Sequence, residues 1–103
     1  MLADLWAFAF SSNTNSWTEL KQVGDKPGKR YAHIMVTRKE SRDTFLGFGD
    51  DGRKDCNDVY KLRIDDNNVA TWTKMESDGK GPSPRSRLSA SVVSTGDILI
   101  HGG

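Results

Sequence analysis

The stretch DVYKLRI, residues Asp58–Ile64, decides the fold, because its apolar side chains recur at every second position. Tyr60, Leu62 and Ile64 alternate with other side chains, which gives the two-residue period of a strand with two differently solvated faces. No stretch of comparable length shows the spacing of an amphipathic helix. The local pattern therefore predicts β-structure.

The same pattern occurs earlier in the chain, so the sequence contains a repeat. DLWAFAF (Asp4–Phe10) places Asp4 on Asp58 and Trp6 on Tyr60. Three further pairs of segments match in the same order, at a period of roughly 55 residues. They are SWTEL (16–20) with TWTKM (71–75), GDKPGKR (24–30) with GKGPSPR (79–85), and TFLGFGD (44–50) with DILIHGG (97–103). The last alignment sets Gly49 and Asp50 against Gly102 and Gly103.

Polar clusters separate the apolar runs throughout the sequence. SSNTNS, DDGRKDCN, DDNN and STGD are rich in residues that favour turns. Several short strands that alternate with turns, without helical periodicity, predict an all-β antiparallel architecture.

Composition narrows the class of partner. The 103 residues carry 15 basic and 14 acidic side chains, a formal net charge of +1. No overall field therefore favours nucleic acid or an anionic membrane, and we expect neither as a partner. Cys56 has no second cysteine with which to form an internal disulfide, and no charged leader precedes the apolar start. We therefore expect a cytoplasmic protein.

The ordered motifs resemble the kelch repeat. They comprise Arg30, the strand runs AHIMVT and TFLGFGD, then NDVY and TWTKM. The resemblance implies antiparallel four-stranded blades of a β-propeller, with a period of roughly 50 residues. It departs from the family at Gly49-Asp50, where a double glycine is usual; we expect Asp50 to adopt the left-handed backbone there, with some strain.

Blade anatomy implied by this resemblance divides the chain into three parts. Residues 1–20 supply the third and fourth strands of one blade, residues 21–75 a complete central blade, and residues 76–103 the first two strands of a third. This is a partial propeller, since a closed ring needs at least four blades. Either the chain is a fragment of a longer scaffold or adaptor protein, which we expect, or copies complete one another as a homo-oligomer.

Residues that recur in both copies are expected to be structural. Large aromatic side chains suit packing between blades, and the arginine after each proline-containing turn suits hydrogen bonding to carbonyls of a neighbouring blade. The structural kelch set comprises Arg30, Gly49, Asp58, Tyr60, Trp72, Trp6, Trp17, Gly102 and Gly103.

Residues that differ between the copies are the better candidates for function, because repeats vary what a partner contacts. The loop between the second and third strands should open on the same face as the connections between blades. We predict a protein or peptide partner, acidic in character, bound by Arg87, Arg85, Arg53, Lys54, Asp51 and Lys29. Arg87 is the first choice, because a guanidinium grips a carboxylate with two hydrogen bonds.

The sequence offers no catalytic, metal or cofactor site. His33, His101 and Cys56 lack the setting of a catalytic nucleophile or base, and GKGPS lacks the sequence of a phosphate-binding loop. Some kelch-like propellers are enzymes, of the oxidase or sugar isomerase type, with active sites that span several blades. The alternatives to an interaction module are therefore part of such an enzyme, with His33 or an aspartate of loop 50–55 in its site, or a purely structural segment.

Overall fold

The computed structural model describes residues 3–9, 15–39, 41 and 43–103, and these form nine strands without a helix. None of these segments is a helix long and apolar enough to cross a membrane. The prediction of an all-β fold is confirmed. The strands are β1 (Trp6–Ala9), β2 (Ser16–Glu19), β3 (Lys21–Gly24), β4 (Ile34–Thr37), β5 (Thr44–Gly47), β6 (Val59–Ile64), β7 (Val69–Met75), β8 (Ser89–Val92) and β9 (Ile98–His101).

The central sheet has five strands in the order β3-β7-β6-β5-β4. Strands β4 to β7 are antiparallel and consecutive, as a propeller blade requires. Strand β3 is a fifth strand that the sequence did not predict, and it pairs with β7 in parallel, from Lys21 opposite Val69 to Gly24 opposite Trp72. The segment entering the blade thus covers the outer edge of β7.

Gly24 makes this parallel pairing possible. Its φ is +86°, and a Cβ atom at this position would lie 2.3 Å from the backbone oxygen of Trp72. Only glycine fits both the left-handed backbone and so close an approach. Immediately beyond it, the amide of Asp25 donates to the same Trp72 oxygen at 2.9 Å.

Two hairpins flank the central sheet, β1-β2 before it and β8-β9 after it. The register of β1-β2 sets Phe8 opposite Trp17, as β6-β7 sets Leu62 opposite Trp72. The two copies of the repeat therefore share their strand pairing as well as their sequence.

The core lies between the central sheet and the first hairpin. The buried cluster comprises Leu20, Leu46, Tyr60, Leu62, Ala70 and Trp72, with Leu5 and Ala7 of the preceding segment packed against it. Trp72 is 3% exposed, and its indole Nε1 donates to Gln22 Oε1 on β3 at 2.9 Å. Packing across two repeat units thus buries the central aromatic residue.

The alignment of the second strands is shifted by one residue relative to the sequence expectation. In the first copy the left-handed pair is Phe48 (φ +59°) and Gly49 (φ +91°), whereas Asp50 has no positive φ. In the second copy the pair is Gly102 (φ +87°) and Gly103 (φ +106°). Phe48-Gly49, rather than Gly49-Asp50, therefore corresponds to the double glycine, and the expectation that Asp50 bears the strain was wrong.

Hydrogen bonds support the shifted alignment. Arg30 Nη1 donates to the carbonyl oxygen of Phe48 at 3.0 Å, and Arg85 Nη1 donates to that of Gly102 at 3.2 Å. A non-glycine residue with positive φ costs roughly 1 kcal/mol or more. Phe48 is nevertheless 4% exposed, so burial of its ring offsets that cost.

Candidate functional site

Three loops meet at one end of the central sheet. They are the β3-β4 connection (residues 25–33), the β5-β6 loop (48–58) and the β7-β8 connection (76–88). The Gly49 amide donates to the Arg85 oxygen at 3.0 Å, the Arg85 amide to the Cys56 oxygen at 3.1 Å, and the Arg87 amide to the Ala32 oxygen at 2.9 Å. We call this surface the loop face.

A buried ion pair anchors the loop face to the sheet. Arg30 is 8% exposed, and its two terminal nitrogens donate to the Asp58 carboxylate at 2.8 and 3.2 Å. The guanidinium also contacts the Tyr60 ring, 5.5 Å from its centroid, and the Tyr60 hydroxyl donates to Asp58 Oδ2 at 2.8 Å. A bidentate pair with these additional contacts holds both loops in fixed positions.

Electrostatics within this cluster favour the ionised carboxylate. Burial by itself raises the pKa of Asp58, but the hydrogen bonds from Arg30 and Tyr60 and the Arg30 charge outweigh it, so the pKa lies below its ordinary value. The pKa of Tyr60 is raised by burial and by its hydrogen bond to Asp58. Arg30, Asp58 and Tyr60 thus form a charged structural group, in which the Arg30 Nε is buried without a hydrogen-bond partner.

The aspartates of the β5-β6 loop are largely used within the loop. Asp51 Oδ1 accepts from the amides of Arg53 and Lys54 at 2.9 and 3.0 Å, and these bonds lower the pKa of Asp51. Asp50 Oδ1 accepts from the Gly52 amide at 2.7 Å, and Asp50 Oδ2 accepts from the Tyr31 hydroxyl at 3.0 Å. Both carboxylates therefore organise the loop.

Basic side chains remain available beside these aspartates. A cavity of about 760 Å³ opens between the β3-β4 connection and the β5-β6 loop. Its lining includes five cationic side chains, Lys29, Arg30, Arg53, Lys54 and Lys74, and three carboxylates, Asp51, Asp55 and Asp58. Within the part of the chain that the structure describes, the side chains of Lys29, Arg53 and Lys54 have no ion-pair partner. We call this space the basic cavity.

The structure brings four of the six predicted contact residues together and sets two apart. Lys29, Asp51, Arg53 and Lys54 line the basic cavity, whereas Arg85 and Arg87 do not. Arg85 instead donates to Ser83 and Gly102, so its guanidinium is occupied within its own hairpin unit. Arg87 is exposed, close enough to Tyr31 for its charge to act on the phenol, and has a φ of +57°.

The side chains of the recurring arginines donate to carbonyls of their own repeat unit and not of a neighbouring blade. Arg30 and Phe48 both lie within residues 21–75, and Arg85 and Gly102 both lie within residues 76–103. In each case the arginine follows the connection into a blade and reaches the end of the second strand of the same blade. The carbonyl that accepts from each arginine is therefore set by the position of that arginine beside the second strand of its own sheet.

The recurring aromatic residues divide into two buried and two exposed ones. Trp72 and Tyr60 are 3% and 8% exposed, while Trp6 and Trp17 are 49% and 65% exposed. Trp17 contacts Phe8, with ring centroids 4.8 Å apart, but no further sheet covers it among the described residues. The packing role predicted for Trp6 and Trp17 stays a prediction.

Lys74 is a cavity residue that sequence reasoning missed. It lies near the end of β7, and its amide donates to Asp25 Oδ2 at 3.1 Å. Its counterpart in the preceding unit is Glu19, because β1-β2 pairs Trp6 with Glu19 as β6-β7 pairs Tyr60 with Lys74. The difference in charge between Glu19 and Lys74 is therefore the sequence signal that could have identified Lys74 as a candidate.

Chemically, the loop face is suited to binding anionic groups. Burial raises the pKa of the Cys56 thiol, which makes it a poor nucleophile. Among the residues described, no cluster of three or more His, Cys, Asp or Glu side chains is placed to hold a metal ion. Exposed lysine and arginine side chains around a cavity are typical of carboxylate or phosphate recognition.

The four consecutive antiparallel strands of the central sheet and the repeat of their pattern along the chain define a class, the blades of a β-propeller. The family model described as the KLHDC2/KLHL20/DRC7 Kelch-repeats domain matches residues 1–103. The chain belongs to the kelch-repeat family, whose domains are protein-interaction modules. The resemblance inferred from the sequence is thus confirmed.

Similar proteins carry the repeat in different settings. The chain is 31% identical over 100 residues to serine/threonine-protein phosphatase BSL2 of Arabidopsis thaliana, covering 97% of this chain and 10% of that protein. It is 32% identical over 91 residues to the Rab9 effector protein with kelch motifs of Bos taurus, covering 88% and 24% respectively. It is 30% identical over 97 residues to dynein regulatory complex subunit 7 of Chlamydomonas reinhardtii, covering 93% and 8%. The chain thus spans a tenth to a quarter of the first two relatives.

Proposed function

We propose that this chain is part of a cytoplasmic adaptor or scaffold module that binds an acidic peptide segment on its loop face. Lys29, Arg53 and Lys54 contact the peptide carboxylates at the basic cavity, and Arg87 contacts them at the neighbouring edge. The role is binding and not catalysis, in keeping with the Rab9 effector and dynein regulatory relatives.

One observation carries this proposal: basic side chains are free around the cavity, whereas most of the neighbouring acidic groups are engaged. Asp51 accepts two backbone amides, and Asp58 is paired with Arg30. An incoming carboxylate therefore meets unpaired cations without first breaking an existing ion pair. Binding then costs the desolvation of these side chains but not the loss of an existing ion pair.

The test measures binding of a labelled poly-glutamate peptide by fluorescence anisotropy. Reversing the charge of the rim with the double variant Arg53→Glu/Lys54→Glu should weaken binding roughly tenfold or more. Binding by the unaltered chain should also weaken as salt is raised, because exposed charges are screened beyond about 8 Å at physiological ionic strength.

Lys39→Glu is the matched control. Lys39 is an exposed lysine in the β4-β5 turn, at the opposite end of the central sheet from the loop face. It changes the net charge but not the basic cavity. If Lys39→Glu weakens binding as much as the double variant does per charge reversed, attraction is nonspecific and the proposed site is wrong. Arg87→Ala tests the contribution of the neighbouring edge separately.

A further inference from the structure

The basic cavity carries an excess of positive charge that its own carboxylates do not balance. Five cationic side chains line it against three carboxylates, so the cations exceed the carboxylates by two. Asp58 is paired with Arg30, and Asp51 accepts backbone amides within its loop. Four of the cationic side chains have no ion-pair partner among the described residues: Lys29, Arg53, Lys54 and Lys74.

Folding of the repeat does not account for two of these lysines. Lys29 aligns with Pro84 in the following unit, and Lys74 corresponds to Glu19 in the preceding one. Equivalent segments of the chain therefore form without a lysine at either position. Both lysines are exposed. A concentration of positive charge that the fold does not require favours a ligand of opposite charge.

The unpaired cations come from three separate segments and line a single recess. Lys29 lies in the β3-β4 connection, Arg53 and Lys54 lie in the β5-β6 loop, and Lys74 lies near the end of β7. One carboxylate carries a single negative charge, which balances only half of the excess. A phosphorylated side chain carries a charge of about −1.5 to −2 at pH 7 and three strong acceptor oxygens, so one such group can balance the excess.

We propose that the basic cavity binds a phosphorylated serine or threonine side chain of the acidic peptide, in preference to a glutamate or aspartate. This inference rests on the proposed function of the loop face and specifies the group that the cavity receives. Arg53 offers paired N–H donors to the phosphate oxygens, and the lysines act as point charges. Among the described residues that line the cavity there is no aromatic side chain to stack on a phosphotyrosine ring, which favours the shorter phosphorylated side chains.

Peptides that differ at one position test the preference. A labelled glycine-alanine peptide carries phosphoserine, glutamate or serine at its centre, and fluorescence anisotropy measures the binding of each to the unaltered chain. The phosphoserine peptide should bind roughly tenfold more tightly than the glutamate peptide, because the cavity balances its second charge as well. The serine peptide should bind more weakly than both.

The double variant Lys29→Gln/Lys74→Gln tests whether the cavity is responsible. Removal of both charges should weaken binding of the phosphoserine peptide roughly tenfold or more and bring its affinity close to that of the glutamate peptide. Lys21→Gln/Lys39→Gln is the matched control, because it removes the same charge from two exposed lysines at the opposite end of the central sheet. Circular dichroism establishes that both variants retain their sheet content.

Tighter binding of the phosphoserine peptide that only the cavity variant abolishes supports the proposal. Equal affinity for the phosphoserine and glutamate peptides, or equal weakening by the control variant, overturns it. Inorganic phosphate that competes as well as the unlabelled phosphoserine peptide would mean that the cavity takes an adventitious ion only, which also overturns it. So does binding to vesicles that contain a phosphoinositide without binding to the phosphoserine peptide.

Failure of this inference can be distinguished from failure of the proposed function. If poly-glutamate binds and Arg53→Glu/Lys54→Glu weakens it, while phosphoserine gives no advantage over glutamate, the preference for phosphate is wrong and the acidic-peptide site stands. If neither poly-glutamate nor the phosphoserine peptide binds, both are wrong.

Discussion

The side chains of Arg30, Asp58 and Tyr60 show how one repeated motif holds distant parts of the chain together. Arg30 lies in the β3-β4 connection, whereas Asp58 immediately precedes β6 and Tyr60 lies on it. Their mutual hydrogen bonds fix the end of β5 through the Phe48 carbonyl. The sequence predicted these residues as structural, but the choice of partners required their positions in the sheet.

We expect stability to depend on pH through Asp58. Its pKa is lowered in the folded state, so its contribution is fully present above the unfolded value of about 3.9 and is lost as pH falls through the folded pKa. Asp58→Asn should lower the free energy of unfolding at neutral pH by about 3 kcal/mol, because it leaves Arg30 buried and unpaired.

Urea unfolding between roughly pH 6 and pH 2 measures this effect. Asp58→Asn should also flatten the loss of stability in acid, although Asp43 contributes in the same direction because hydrogen bonds from Arg63 lower its pKa. Asp66→Asn, in the exposed β6-β7 turn, is the control. An equally steep acid limb in Asp58→Asn and in the unaltered chain would contradict the assignment.

At the scale of elements, the parallel pairing of β3 with β7 is the feature that distinguishes this sheet from a simple antiparallel blade. Gly24 allows the close approach, and Gln22 bonds the Trp72 indole across the pair. KQVG is too short for its periodicity to indicate a strand. The sequence therefore predicted β4 to β7 from their apolar runs, but not the strand that covers them.

Gly24→Ala and Gly28→Ala form a matched pair that tests this pairing. Both glycines have positive φ, +86° and +80°, but a Cβ at Gly28 meets nothing within 4 Å, whereas one at Gly24 meets the Trp72 oxygen at 2.3 Å. Gly28→Ala should cost about 1 kcal/mol for the left-handed backbone. Gly24→Ala should cost at least about 2 kcal/mol more, since β3 must move away from β7.

Thermal and urea unfolding measure both variants, and hydrogen exchange at the β3 amides locates the change. Equal destabilisation by the two substitutions would mean that β3 is not held against β7.

The shifted alignment of Phe48-Gly49 on Gly102-Gly103 also required the structure and could not be read from the sequence. Alignment of the glycines in the sequence set Gly49 opposite Gly102. The backbone angles and the arginine contacts instead set Phe48 opposite Gly102.

At the scale of the whole molecule, the preceding repeat unit supplies part of the cover for Trp72 of the central sheet. Trp72 is buried because β3 pairs beside its strand and Leu5 and Leu20 belong to the cluster that packs around it, whereas Trp17 at the equivalent position is largely exposed. Identical residues thus have different energetic roles according to what packs on them. No local sequence pattern could have predicted this difference.

Trp72→Ala should therefore destabilise the fold by about 3 to 5 kcal/mol, the usual cost of removing a buried large aromatic side chain. In the monomeric chain Trp17→Ala should cost no more than about 1.5 kcal/mol, mainly the contact with Phe8. Chemical denaturation of both variants checks the contrast. Similar losses in dilute solution would show that Trp17 is covered by a surface other than those described.

The early position of β3 in the chain has a consequence for synthesis on the ribosome. Gln22 and Trp72, which bond across β3 and β7, are 50 residues apart. At translation rates of 5–20 residues per second, β3 waits roughly 3 to 10 seconds for its partner to emerge. During that interval its amides face solvent or chaperones, so a nascent chain paused before β7 exposes a segment that the finished protein conceals.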